Sequence, residues 1–225
     1  MIKVASSEEF KRLIEALAHD VESANIHWRL YVGVHAAIGE SHCVYEQSAT
    51  FWHLTFNAHT FAALQFLSRA FDQEQKSLHL LSWLKTIESN LHLFEPEEFK
   101  KRLAGNPFAE SLAEHPRAPD KDQLKADIAL CMATDPDVNL LVRHRNSIGA
   151  HRSARAAVTG LAPDGLSIEV LERLLDRGHA ILNRYSSLFA ASTYSRQMIG
   201  HDDYRYVVSS VAQAVERSRS LHGDG

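Results

Sequence analysis

Apolar residues in this chain recur at steps of three and four, the period of a helix. Phe10, Leu13, Ile14, Leu17, Val21 and Trp28 follow one another this way. Leu78, Leu81, Leu84 and Ile87 repeat the pattern, and so do Val138, Leu141, Val142 and Ile148. Val170, Leu171, Leu174, Leu175, Ala180, Ile181, Leu182 and Leu188 extend it over a longer stretch. No segment alternates convincingly with the two-residue period of a strand. Composition agrees: Ala (28) and Leu (26) outnumber the β-branched Val (13) and Ile (10) by more than two to one, while Gly (10) and Pro (6) are scarce. The expected fold class is all-α, and 225 residues suffice for a core without metal or disulfide staples.

Punctuation places the helices. Ser6 and Glu9 stand at capping-box spacing ahead of a first helix running to about Ile38. A second helix is expected over roughly Ser41 to Phe71 and a third from Ser77. Pro96, followed by Glu97 and Glu98, marks a helix start, and Asp120 opens another. Asp135 and Pro136 have the order of an N-cap and first helical residue, and that helix should reach about Val158. Ser167 and the Gly200-His201-Asp202-Asp203 run precede the last two helices, the final one carrying Tyr206, Val207, Val211 and Val215. The whole chain, 1–225, reads as one helical domain, with an irregular insertion over 94–119 and a frayed, flexible tail at 219–225.

Charge and special residues narrow the function. A net charge of −4 argues against coating by nucleic acid over the whole surface, so any such role needs a local patch. Two distant cysteines, Cys43 and Cys131, suit a reducing compartment, and the first nine residues contain no apolar signal core. From Gln47 to Ser68 there is no Asp, Glu, Lys or Arg. His53, Asn57, His59 and Gln65 interrupt that stretch, which favours a buried central helix over a membrane span and a cytoplasmic location. The 14 histidines show neither an HExxH motif nor paired Glu-x-x-His motifs, so no metal or other cofactor is expected. Trp28, Trp52 and Trp83 read as core. Asp72 reads as a polar break after the second helix rather than as a residue facing the arginine-rich helix.

One window stands apart. Between Val138 and Gly160 there is no acidic residue, yet it holds Arg143, His144, Arg145, His151, Arg152 and Arg155. Such a stretch sets up a local positive field. Arg145-Asn146-Ser147-Ile148-Gly149-Ala150-His151 is similar to the signature of the HEPN superfamily, an Arg commonly followed by a polar residue and then a His after four to six positions. Five intervene here. The flanking Leu141-Val142-Arg143-His144 and Arg152, the Phe66–Asp72 segment, the Glu172–Ser186 segment and Asp202-Asp203-Tyr204 resemble the AbiU-like, abortive-infection branch. The resemblance runs from about Glu8 to Glu216 and is weakest over 94–119.

That resemblance implies a HEPN-like helical bundle with additional helices. It implies a homodimer with the motif helices facing each other, and a metal-independent endoribonuclease of phage-defence or toxin–antitoxin type. RNA supplies its own nucleophile, the 2′-OH beside each phosphate. His151 would move the proton, Arg145 would grip the phosphate, and Asn146 would orient His151 or a phosphate oxygen. Arg143, His144 and Arg152 would hold neighbouring parts of the substrate. RNA, a second copy, and a protein antitoxin or defence-system partner are the partners implied. The alternative is a non-catalytic HEPN module that binds RNA, a nucleotide or a protein.

Overall fold

In a computed structural model, which describes residues 2–146 and 165–222, the secondary structure is helical throughout and no strand occurs among the described residues. Helix α1 spans Ser7–Glu40, α2 His42–Gln47, α3 Ala49–Ala70 and α4 Leu80–Ser89. Short helices α5 (Pro96–Arg102) and α6 (Ala109–Ala113) follow, then α7 (Lys121–Leu130) and α8 (Pro136–His144). The chain resumes with α9 (Ile168–Ala190) and α10 (Tyr204–His222).

The caps that the sequence advertises form. Ser6 Oγ accepts from the Glu9 N–H at 3.1 Å, while Glu9 reaches back to the Ala5 N–H at 2.7 Å. Asp120 caps α7 through Gln123, and Ser167 caps α9 through Val170. Asp135 accepts from the N–H groups of Asp137 and Val138, with Pro136 in the first helical turn. The expected second helix is divided at Ser48 into α2 and α3. The third begins at Leu80 rather than Ser77, because His79 and Ser82 cap each other reciprocally.

The described residues form two compact units. The first comprises 1–22 and 65–194. Helix α9 is its spine, burying Leu174, Leu175, Ile181, Leu182 and Phe189. Phe10, Trp83, Phe94 and Tyr185 complete an aromatic core with Phe189, the Phe10 and Phe189 rings lying 4.9 Å apart. The 94–119 region holds α5 and α6, and two arginines, half-buried Arg102 and buried Arg117, tie it to α9. Arg102 donates to the carbonyls of Leu93 and Phe189 and to Ser7 Oγ, and its guanidinium lies 3.8 Å from the Phe189 ring centre. Arg117 donates to the carbonyls of Leu112 and Ser187. Burial brings the Arg102 guanidinium down to about 10, opposed by the nearby Glu98 charge, so it remains a cation at neutral pH.

The second unit comprises 23–64 and 195–225. Val34, Ile38, Val44, Trp52 and Val208 form its core, and Trp52 Nε1 donates to the Val44 carbonyl at 3.2 Å. Gly33 is required by a close approach: any Cβ there would run into the Tyr204 hydroxyl. On α10 the core residues are Val208 and Val215, while Tyr206 and Val207 face outward.

One expectation needs correction. Trp28, Trp52 and Trp83 are indeed buried, but α3 is not a helix covered on most sides. Trp52, Phe56, His59 and Ala63 lie toward its neighbours, while Phe51, Leu54 and Phe61 remain 59%, 61% and 59% exposed. A charge-free sequence says that burial is affordable, but not which side a neighbour occupies. No described helix is long and apolar enough to cross a membrane.

Candidate functional site

Helix α8 carries the start of the arginine-rich motif, and its N-terminal end is clamped to α9 by charge. Arg173 holds Asp137 with two hydrogen bonds, Nε to Oδ2 at 3.0 Å and Nη2 to Oδ1 at 2.7 Å. Arg177 reaches Asp135 Oδ1 at 2.8 Å, Asp137 Oδ2 at 3.2 Å and the Leu130 carbonyl at 3.0 Å. The Arg173 hydrogen bond, opposed by burial, holds the Asp137 carboxyl below the usual range. Val138 and Leu141 are buried beneath this clamp. The helix therefore presents its C-terminal residues, Arg143, His144, Arg145 and Asn146, from an anchored base.

Arg145 continues the helix with φ −54° and ψ −48°, and a wider π-type turn begins at Arg145 and Asn146. Its Nη1 donates to Asp72 Oδ1 at 2.6 Å. This corrects the reading of Asp72 as merely a polar break. Asp72 does lie just beyond α3, but its carboxylate is turned toward Arg145 and is only 17% exposed. Its position is itself held. The Gln73 N–H donates to the same oxygen at 2.8 Å. The Gln73 side-chain amide donates to the carbonyls of Phe71 and Cys131 and accepts from the Ala133 N–H. Gln73 thus staples the end of α3 to the loop between α7 and α8. Burial alone would raise the Asp72 carboxyl, but the hydrogen bonds from Arg145 and from the Gln73 and Glu74 N–H groups, with the Arg145 charge, bring it below the usual range.

Of the other proposed site residues, Arg143 and Asn146 are exposed and His144 is half-buried. Burial lowers the His144 imidazole, which favours its neutral form. His151 and Arg152 lie outside the described residues. The structure brings together Arg145 and Asp72, with Gln73 behind them. Asp72 was visible within the Phe66–Asp72 segment, whereas Gln73 carried no recognisable signal.

The other segments that resemble the AbiU-like branch have structural work. Within Glu172–Ser186, Arg173 and Arg177 clamp α8. His179 and Asn183 hold the backbone of Tyr194, with Asn183 Oδ1 accepting from the Tyr194 N–H at 2.7 Å. Arg184 and Tyr185 both engage Asp127 on α7. A Cβ at Gly178 would sit in ordinary contact with Phe71, 3.5 Å away, so α9 passes close to the end of α3. A family model, AbiU2 of the HEPN domains, matches residues 7–209. The chain belongs to the AbiU2 family. AbiU2 membership covers both units and makes the chain an abortive-infection-type HEPN module. No curated protein and no solved structure matches it. Among the described residues, no group of three or more His, Cys, Asp or Glu side chains is placed to hold a metal ion.

Proposed function

We propose that this AbiU2 chain is a metal-independent endoribonuclease of phage-defence or toxin–antitoxin type, working in the cytoplasm. Arg145 and His151 act at a composite site formed by two copies. The observation that carries this reading is the anchored presentation of Arg145, whose guanidinium meets the Asp72 carboxylate at 2.6 Å at the end of a helix fixed to α9. An RNA phosphodiester offers the same pair of anionic oxygens as a carboxylate, and a guanidinium is suited to both.

The chemistry would be transesterification. His151 takes the proton from a 2′-OH, whose oxygen attacks the adjacent phosphorus. Arg145 stabilises the added charge on the non-bridging oxygens. The bond to the 5′-oxygen breaks, and that oxygen leaves with a proton. The products are a 2′,3′-cyclic phosphate and a 5′-hydroxyl. Asn146 orients His151 or a phosphate oxygen, and Arg143, His144 and Arg152 hold the flanking substrate. A protein antitoxin or other defence-system partner restrains the activity.

The test is RNA cleavage in EDTA with analysis of the 3′ ends. Cyclic phosphate termini that vanish with Arg145→Ala and with His151→Ala are expected. Cleavage that persists in both variants refutes the reading. The ion pair of Arg145 with Asp72 also favours a second one: a non-catalytic module whose Arg145 is a structural tie and which binds RNA, a nucleotide or a protein. That reading predicts intact RNA after long incubation and a folding defect in Arg145→Ala.

A further inference from the structure

Arg69 is the first Asp, Glu, Lys or Arg after Glu46, and it stands in the last turn of α3. It belongs to the Phe66–Asp72 segment, of which the site described above uses only Asp72. Its guanidinium lies against Asp20 of α1, Nη2 to Oδ1 at 3.2 Å, and 5.8 Å from the centre of the Phe66 ring. The Asp20 side chain is 8% exposed and that of Arg69 58%. The anion is therefore inside and the cation outside, so a molecule arriving from solvent meets positive charge. Burial raises the Asp20 carboxyl, and the charges of Arg69 and then His19 oppose that rise.

Hydrogen bonding separates Arg69 from the arginines that tie this unit together. Arg102 and Arg117 donate to carbonyls, and Arg173, Arg177 and Arg184 donate to aspartates. Asp20 Oδ1 accepts no hydrogen bond, so Arg69 is held there by charge alone. Among the described residues Arg69 donates no hydrogen bond, and its planar fork of N–H donors stays available to an anion. Its place in the chain matters as much. The Asp72 N–H donates to the Arg69 carbonyl at 3.3 Å, and the Asp72 carboxylate holds Arg145. Arg69 thus stands one turn of chain before the residue that presents the motif arginine.

We propose that Arg69 is a second phosphate-binding residue of the RNA site, gripping the phosphate next to the one that Arg145 holds. The proposal rests on the preceding reading of the α8 end as an RNA site. Asp20 orients the guanidinium through Nη2 and the remaining donors meet the non-bridging oxygens, so the strand need not displace the carboxylate. Arg69 touches no reacting atom: it adds binding and fixes the register of the strand, and takes no part in proton transfer. An RNA backbone is the fitting ligand because it repeats its charge at every nucleotide and so engages both arginines at once.

Fluorescence anisotropy with a single strand of 2′-O-methyl RNA, which lacks the nucleophile and stays intact, tests it. Arg69→Gln is expected to weaken binding by about threefold to tenfold and to flatten the slope of log K against log salt by about 0.7, the share of one phosphate contact. That variant leaves Asp20 buried without its counter-charge, so Arg69→Gln combined with Asp20→Asn is measured beside it. The double variant is expected to melt as the wild type does and to keep the loss of binding. Binding that recovers in the double variant assigns Arg69 to neutralising Asp20 and overturns the proposal. So does a wild-type slope in both variants while Arg145→Gln flattens it, and in that case the preceding reading stands. A slope that neither Arg69→Gln nor Arg145→Gln alters overturns the proposal together with that reading.

Discussion

Asp72 and Arg145, separated by 73 positions in the chain, meet through a 2.6 Å contact between Oδ1 and Nη1. The carboxylate is fixed from behind by Gln73, so the pair couples the end of α3 to the end of α8. Asp72→Asn keeps the shape and removes the charge. Because Arg145 is about a third exposed, the pair contributes only about 0.5–1 kcal/mol to stability after solvent screening. The melting temperature should fall by a few degrees at most. On RNA, the loosened guanidinium should slow cleavage by about 10- to 100-fold, measured as single-turnover rate. A rate equal to wild type would remove Asp72 from the positioning of Arg145.

The acid limb of stability should carry the signature of the clamp on α8. Asp137 has its carboxyl lowered by Arg173 and Arg177, and Asp72 by Arg145. A lowered carboxyl contributes stability that is present above the unfolded value, about 3.9 for Asp, and lost as pH falls through the folded value. Urea midpoints of wild type and Asp137→Asn should therefore differ at pH 6–7 and converge below about pH 4. A gap that stays constant down to pH 3 would assign the effect to packing.

Arg102 tests the tie between 94–119 and α9. Arg102→Ala leaves the Leu93 and Phe189 carbonyls without their donor and removes the cation from the Phe189 ring. Unmade hydrogen bonds of buried groups cost about 1–3 kcal/mol each, so a loss of roughly 2–4 kcal/mol is expected by urea titration. Arg102→Lys should recover only part of it, since an ammonium cannot reproduce the fork.

Tyr185→Phe is the milder counterpart. The Tyr185 hydroxyl donates to Asp127 Oδ2 at 2.7 Å in a buried setting, and burial followed by that contact pushes the phenol up. Arg184 and Gln123 still engage Asp127 in the variant. A loss of about 1–2 kcal/mol is expected from one charge-assisted hydrogen bond.

Binding of RNA should report on the arginines through salt. For single strands each phosphate contact contributes about 0.7 to the slope of log K against log salt. Replacing Arg143, Arg145 and Arg152 together by Gln should flatten the slope by about 2, measured by fluorescence anisotropy. An unchanged slope would place the RNA elsewhere on the protein.

Helices and caps were legible because their causes are local. Asp135 and Pro136 start α8, Ser167 starts α9, and the apolar steps of α9 choose its buried face, all within four residues of chain. The α3 helix shows where local reasoning stops. Its lack of charge was plain, but Phe51, Leu54 and Phe61 are exposed because the neighbours in its unit lie on the other side.

The sequence by itself determined the all-helical class, the helix starts and the AbiU2 pattern around Arg145, since periodicity, caps and motif order are written along the chain. Tertiary structure alone decided that Asp72 answers Arg145, that Gln73 fixes it, and that α3 keeps an open apolar side. Partners 73 residues apart are chosen by how helices pack, and packing depends on the summed burial of many side chains rather than on any neighbour in sequence.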